Sequence, residues 1–240
     1  MHLLTLKQHK LNKSLGFGYL TAGLTLAPAT EAGYKSTCPY SGDCACVCLT
    51  HSGLYRMPTH IRARAERTRL YFYERKAFYT QLFKELDTFE RKAQRQGLRP
   101  AVRLNLLSDI EAIAITVAKQ KPKLQCYDYT KLPPKFWDTS QPNYYRVYSF
   151  SERSRPADIN TCISAGINIA VVFDLAKGEP LPATIKLFQH TFQVLDGDRH
   201  DLRFKDIRRG SKSRVIGLRF KGARSSMPKA AGTFIQVTAI

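Results

Sequence analysis

Apolar residues recur at helical spacing in one long segment and at strand spacing in several short ones. Over residues 60–96 the positions Phe78, Leu82, Leu86, Phe89 and Ala93 follow each other at intervals of four, four, three and four. That spacing places them on one face of a helix, which Gly97 and Pro100 terminate. The half from Ile61 to Arg75 carries a polar stripe, Arg64, Arg67, Thr68 and Arg75, which either meets an anion or is a solvated face. Before this helix, residues 15–27 (LGFGYLTAGLTLA) predict a short strand or hairpin. Beyond Pro100, strands are predicted at 101–107, 123–130, 144–150, 167–174, 191–197 and 214–220. Residues 109–120 fit a helix by length, and 156–165 a short one. The run INIAVVFD at 167–174 is apolar almost without interruption, as a strand buried on both faces requires.

Strand, short crossover and strand in repetition predict an α/β fold: a partial TIM-barrel-like or open, mostly parallel sheet. A single domain over residues 1–240 accommodates it. Its parts are an N-terminal strand and cysteine loop (1–60), a long helix (61–99), alternating strands and helices (100–222) and a basic C-terminal segment (223–240). Polar residues gather where the predicted strands end: Ser108 and Asp109, Asp128 and Thr130, Ser149 and Ser151, Asp174, then Asp196 and Asp198. Sites of parallel α/β sheets lie at those carboxyl ends, although loops there are polar in any case.

Four of the six cysteines, Cys38, Cys44, Cys46 and Cys48, fall in the segment CPYSGDCACVCL. A secreted disulfide framework would space them more evenly and follow an export signal, and the N-terminus has no apolar signal core. A cytoplasmic, metal-binding protein is expected. Cys38, Cys44 and Cys48 can hold three irons of a [4Fe–4S] cluster, or four thiolates can close a zinc site with Cys46 as fourth ligand. The alternation at Cys44, Cys46 and Cys48 is tight for zinc, and His51 or His60 can substitute. Cys126 and Cys162 lie in apolar runs, as inert core thiols do. A second polar constellation, VLDGDRHDLRF, concentrates Asp196, Asp198, His200 and Asp201, either as a charged turn or as a proton-transfer or cation site. No P-loop, dinucleotide fingerprint, nucleophile elbow or HExxH is present.

The net charge of +19 is unevenly distributed: eleven Lys/Arg against five acids over 62–99, ten against two over 200–240, and near balance between. Such a field attracts polyanions, of which nucleic acid is the commonest in a cytoplasm. Arg64, Arg67, Arg69, Arg208, Arg209, Lys212 and Arg214 are the candidate phosphate contacts. No apolar run is long enough for a membrane span.

The stretches LGFGYLTAGLTLAPATEAGYKSTCP, CLTHSGLYRMPTHIRARAERTRLYFYERKAF, RPAVRLNLLSD, YDYTK, YSFSERS, VVFD, LDGDRHDLRFKD and VIGLRFKG resemble, in this order, the phage and plasmid family called gene product 88. That family is in turn distantly similar to radical S-adenosylmethionine enzymes. The similarity implies that Cys38, Cys44 and Cys48 bind a [4Fe–4S] cluster whose open iron chelates S-adenosylmethionine. The spacing here, C-x5-C-x3-C with Cys46 extra, differs from the usual C-x3-C-x2-C. In this reading Arg103, Asn105, Tyr127 and Ser149 contact cofactor or substrate, and Asp109, Asp128, Asp198 and His200 are the catalytic candidates. The alternative is a non-catalytic, zinc-stapled DNA- or RNA-binding protein of a mobile element, and a third is a factor that binds a host protein through its basic surface.

Overall fold

The computed structural model describes residues 1–6, 9–206, 212–222 and 230–236. Elements follow in the order β1 (Leu4–Thr5), α1 (His9–Asn12), β2 (Tyr19–Leu24), α2 (Pro58–Tyr73), α3 (Arg75–Arg95), β3 (Arg99–Arg103), α4 (Glu111–Gln120), β4 (Gln125–Thr130) and β5 (Tyr144–Ser149). Then come α5 (Pro156–Ser164), β6 (Ile169–Phe173), β7 (Thr184–Leu187), β8 (His190–Asp196), β9 (Val215–Arg219) and β10 (Ile235–Gln236). The predicted 60–96 helix is two helices, because the chain turns out of helical geometry at Glu74 (φ −130°, ψ 49°). The predicted strand 101–107 ends at Arg103, and Leu104 to Ile110 form a loop instead.

All these strands join one mixed sheet, ordered β1-β2-β3-β4-β5-β6-β9-β8-β7, with β10 also paired to β6. Strands β2 to β6 are parallel and follow chain order, as in a barrel. The order then reverses: β9 lies beside β6 and β8 beside β9, still parallel. Each end of the sheet carries a short antiparallel strand, β1 on β2 and β7 on β8. The sheet is therefore open. Of the two expected forms, the open mostly parallel sheet is present and the closed barrel is not, since no strand among the described residues joins β1 to β7.

Alternation along each strand sends residues to two faces. Val102, Leu104, Cys126 and Tyr144 face the helices, where Phe78, Leu82, Leu86 and Phe89 of α3 and Ile113, Ala114, Val117 and Ala118 of α4 complete the main core. Further along, Ile159 and Cys162 of α5 pack on Tyr148, Val171 and Phe173. The opposite face carries Ala101, Tyr127, Tyr145, Val147, Ala170 and Ile216. Residues Leu202 and Phe204, in the segment after β8, cover part of it. Cys126 and Cys162 are buried free thiols, as their apolar contexts predict. Among the described residues no helix is long and apolar enough to cross a membrane.

Phe78 is fully buried in the main core. Replacing it with Ala removes a ring from the α3–sheet interface and should cost about 3–5 kcal/mol of stability, measured as a lowered urea midpoint with unchanged slope.

Candidate functional site

Because β2 to β6 are parallel, their carboxyl ends line one edge, and the cysteine segment leaves β2 there. Asn105 organises the next loop. Its backbone N–H donates to Asp128 Oδ1 (2.8 Å) and its Nδ2 to Asp128 Oδ2 (3.1 Å). Its Oδ1 accepts from Ser108 Oγ (2.9 Å) and from Ile110 N–H (2.9 Å). The loop so held touches the cysteine segment twice: Cys38 Sγ donates to Leu107 O (3.3 Å) and Asp109 N–H to Thr37 O (2.7 Å). Asp109 Oδ2 in turn accepts from Lys131 N–H (2.8 Å), just past β4.

Lys131, which the site reading from sequence passed over, is the cation of this edge. Its Nζ donates to Ser149 Oγ (3.4 Å) at the end of β5 and lies 4.7 Å from the Phe234 ring centroid. Burial pulls its pKa down, but the neighbouring Cys44, Asp109 and Cys38 groups more than offset this and raise it. The Cys38 thiol is pushed up to about 11, chiefly by burial, with smaller contributions from the charges of Asp109 and Cys48. Cys48 is raised by burial too, with Cys44 acting on it. Cys48 is thus within electrostatic reach of Cys38 and Cys44, and Lys131 of Cys38 and Cys44. Burial raises Asp109 as well, against hydrogen bonds from Lys131 and Thr130.

The cysteine segment is clamped on its other side. Gly42 has φ +51°, and a Cβ there would collide with Glu152 Oε1, which accepts from Asp43 N–H (3.0 Å). Val47 is buried among Phe220, Ala230, Phe234 and Ile235, with Cys44 packed on the same cluster. Cys46 is exposed, whereas Cys38, Cys44 and Cys48 are half-buried. Among the described residues no three His, Cys, Asp or Glu side chains are close enough together to hold a metal ion as they stand.

The remaining candidates fall elsewhere. Asn105 and Asp128 lie on the helix side of the sheet and hold the loop; Tyr144 OH also donates to Asp128 Oδ2 (3.3 Å). Arg103 and Tyr127 point to the opposite side, where they meet Asp201, a fully buried carboxylate: Arg103 Nη1 at 3.3 Å and Tyr127 OH at 3.4 Å. Asp198 is ion-paired with Arg219 (3.1 Å) and with Lys221. Burial pushes Asp198 up, but those cations hold its pKa below the ordinary value. His200 packs on Phe17 (ring centroids 4.7 Å) and stays neutral, its pKa lowered to about 4 by burial and by Arg203 and Arg199. Arg103 and Tyr127 thus face away from Asn105 and Asp128, as strand alternation requires.

The helix arginines are committed internally. Arg64, only 2% exposed, donates from Nε to Glu31 Oε1 (2.8 Å) and from Nη1 to Tyr55 O (2.6 Å). Arg67 Nε donates to His2 O (2.8 Å), and Arg69 pairs with Glu74 (2.7 Å) and Glu66 (3.4 Å). Arg214 donates to Asp206 O, and Lys212 is exposed. Arg208 and Arg209 lie outside the described residues.

Asp128 has the site's clearest pH signature. Burial raises its pKa from 3.8 to about 7, against the Arg103 charge and the Asn105 hydrogen bonds. The folded chain then binds more protons here than the unfolded chain between those values, so the contribution to stability falls as pH rises from about 4 to 7. Asp128→Asn should flatten that part of the stability–pH curve measured by urea unfolding. An unaltered slope would place the titration on another group.

No curated protein and no solved structure matches the chain. Residues 2–232 match the family described as gene product 88. With nearly the whole length aligned, this chain belongs to the gene product 88 family.

Proposed function

We propose that this protein is a thiolate metal-binding protein that acts on or beside nucleic acid, with Cys38, Cys44 and Cys48 holding a [4Fe–4S] cluster at the carboxyl edge of the sheet. The carrying observation is that the cysteine segment is pinned to the loop after β3, with Cys38 Sγ on Leu107 O, while Lys131 after β4 lies near Cys38 and Cys44.

The donor set fits a soft, thiophilic centre. The thiols of Cys38 and Cys48 are held protonated by burial, so a metal must displace protons to bind, and its uptake is favoured as pH rises. Lys131 is placed to balance the negative charge that three thiolates bring into this edge. Since the sulfurs do not stand at coordinating positions, the 38–48 segment must close on the metal, which couples uptake to local folding. Such a cluster, with one iron free of cysteine, would supply an electron to bound S-adenosylmethionine. Asp109, Lys131 and Ser149 are the polar groups of this chain that face the same edge and would orient a ligand there. Cys46, being exposed, stays outside the ligand set.

Anaerobic purification with iron, sulfide and zinc analysis and a visible spectrum tests this. Iron with matching sulfide and a brown chromophore is expected, and Cys44→Ser should abolish both while Cys46→Ser retains them. Stoichiometric zinc in a colourless protein would replace the cluster by a zinc staple. Full metal content in Cys44→Ser would remove Cys44 from the ligand set.

A further inference from the structure

Arg64, Arg67 and Arg69 of α2 have partners within the fold. A cluster of exposed cations with aromatic rings lies at the opposite edge of the sheet from the cysteine segment, where β2 and β3 begin. Tyr19 and Arg99, the first residues of those strands, are paired in register. The Arg99 guanidinium lies 4.3 Å from the Tyr19 ring centroid, and Lys205 Nζ approaches the same ring at 5.4 Å. Lys205 is also 5.8 Å from the Phe17 ring, and His200 makes an edge contact with that ring at 4.7 Å between centroids. Arg199 adds its charge beside His200.

Three features distinguish this patch from an ordinary solvated surface. Arg99, Arg199 and Lys205 are all exposed, and among the described residues none of them forms an ion pair. The acids nearest in sequence are already engaged: Asp201 with Arg103, Asp206 with Arg203. Finally, Phe17 is 37% exposed between Gly16 and Gly18, with Leu15 open beside it. Part of an aromatic ring is thus accessible beside exposed cations.

We propose that this surface, Phe17, Tyr19, Arg99, Arg199 and Lys205, binds single-stranded nucleic acid. It deepens the nucleic-acid half of the proposed function, on which it rests, and is independent of the metal. Single strands are held by cations that follow the phosphates and by aromatic rings that stack the unpaired bases. Arg99 and Lys205 rest on rings, so their charged ends are held in place before a ligand arrives and less freedom is lost on binding. The free face of the Arg99 guanidinium can stack on a base or bond a phosphate, which a lysine cannot do equally well. Phe17 offers the base-stacking platform. Stacking on an exposed ring needs an unpaired base, which a duplex keeps inside its own stack, so the aromatic content selects single strands over double.

The full-length protein should be titrated with labelled oligothymidylate and oligouridylate, with a duplex, and with heparin, a polyanion that has no bases. Tighter binding to the single strands than to the duplex is expected. The triple variant Arg99→Ala, Arg199→Ala, Lys205→Ala should weaken oligonucleotide and heparin alike by about ten-fold or more at moderate salt, and make the salt slope shallower by about two. Phe17→Ala should weaken the oligonucleotides by about five-fold or more and leave heparin unaffected. Phe17→Trp should retain binding, which guards against a variant that merely misfolds. If the wild-type protein binds no oligonucleotide, the nucleic-acid reading falls and this surface with it. Should wild type bind while the triple variant binds as tightly, nucleic-acid action stands but this surface is not where it happens. Equal effects of Phe17→Ala on heparin and oligonucleotide, or none on either, would overturn the single-strand assignment.

Discussion

The pair of hydrogen bonds from Asn105 to the buried Asp128 carboxylate sets the geometry on which the carboxyl edge depends. A loop that leaves a central parallel strand must satisfy its backbone groups without a ladder partner. Asn105 does this with both ends of its amide, taking Ser108 and Ile110 on one side and Asp128 on the other. With the loop fixed, Leu107 O and Asp109 stand where Cys38, Thr37 and Lys131 meet them. The cysteine segment is thus anchored by a residue far away in sequence that touches none of its sulfurs. Asp128 bears the cost as a raised pKa, the mark of a carboxylate retained for its hydrogen bonds despite desolvation.

The two faces of the sheet divide the polar chemistry. Helix-side polar groups, Asn105, Asp128 and Arg146, hold loops and helices in place; Arg146 lies between the Trp137 and Tyr144 rings at 4.6 and 4.8 Å. The other face is closed by the segment following β8, where Asp201 meets Arg103 and Tyr127, and Arg203, Asp206 and His200 form a second network. That segment draws the aspartates and the histidine of LDGDRHD into structural contacts. Asp196 and Asp198 pair with Arg219, Asp201 with Arg103, and His200 packs on Phe17 near Asp206. Exposed cations appear where this covering stops, at Arg199 and Lys205.

Much of the fold was legible along the chain. The stripe of Phe78, Leu82, Leu86, Phe89 and Ala93 is buried as its spacing requires, and the unbroken apolar run at 169–173 is a strand packed on both faces. The strands β1, β7 and β10 were not legible. Two to four residues carry too little periodicity to signal a strand, and such segments are extended only because a longer neighbour offers its edge. The break at Glu74 also escaped, since no Gly or Pro stands between Leu70 and Lys76 to mark the end of a helix. Lys131 stands in the stretch YDYTK but is not read there as a site residue, because its role comes from the residues packing brings against it.

The sequence by itself determined the α/β class, the parallel alternation, the cysteine cluster and the excess of positive charge, because period, residue type and count are local properties. Only the tertiary structure decided that the sheet stays open, because this depends on which strands end up at its margins. It also decided that Arg103 and Tyr127 face away from Asn105 and Asp128, since side-chain direction follows strand register and not proximity in sequence. The same is true of the charges. Composition counts Arg64 and Lys205 alike, but packing pairs one with Glu31 and leaves the other on an aromatic surface open to solvent.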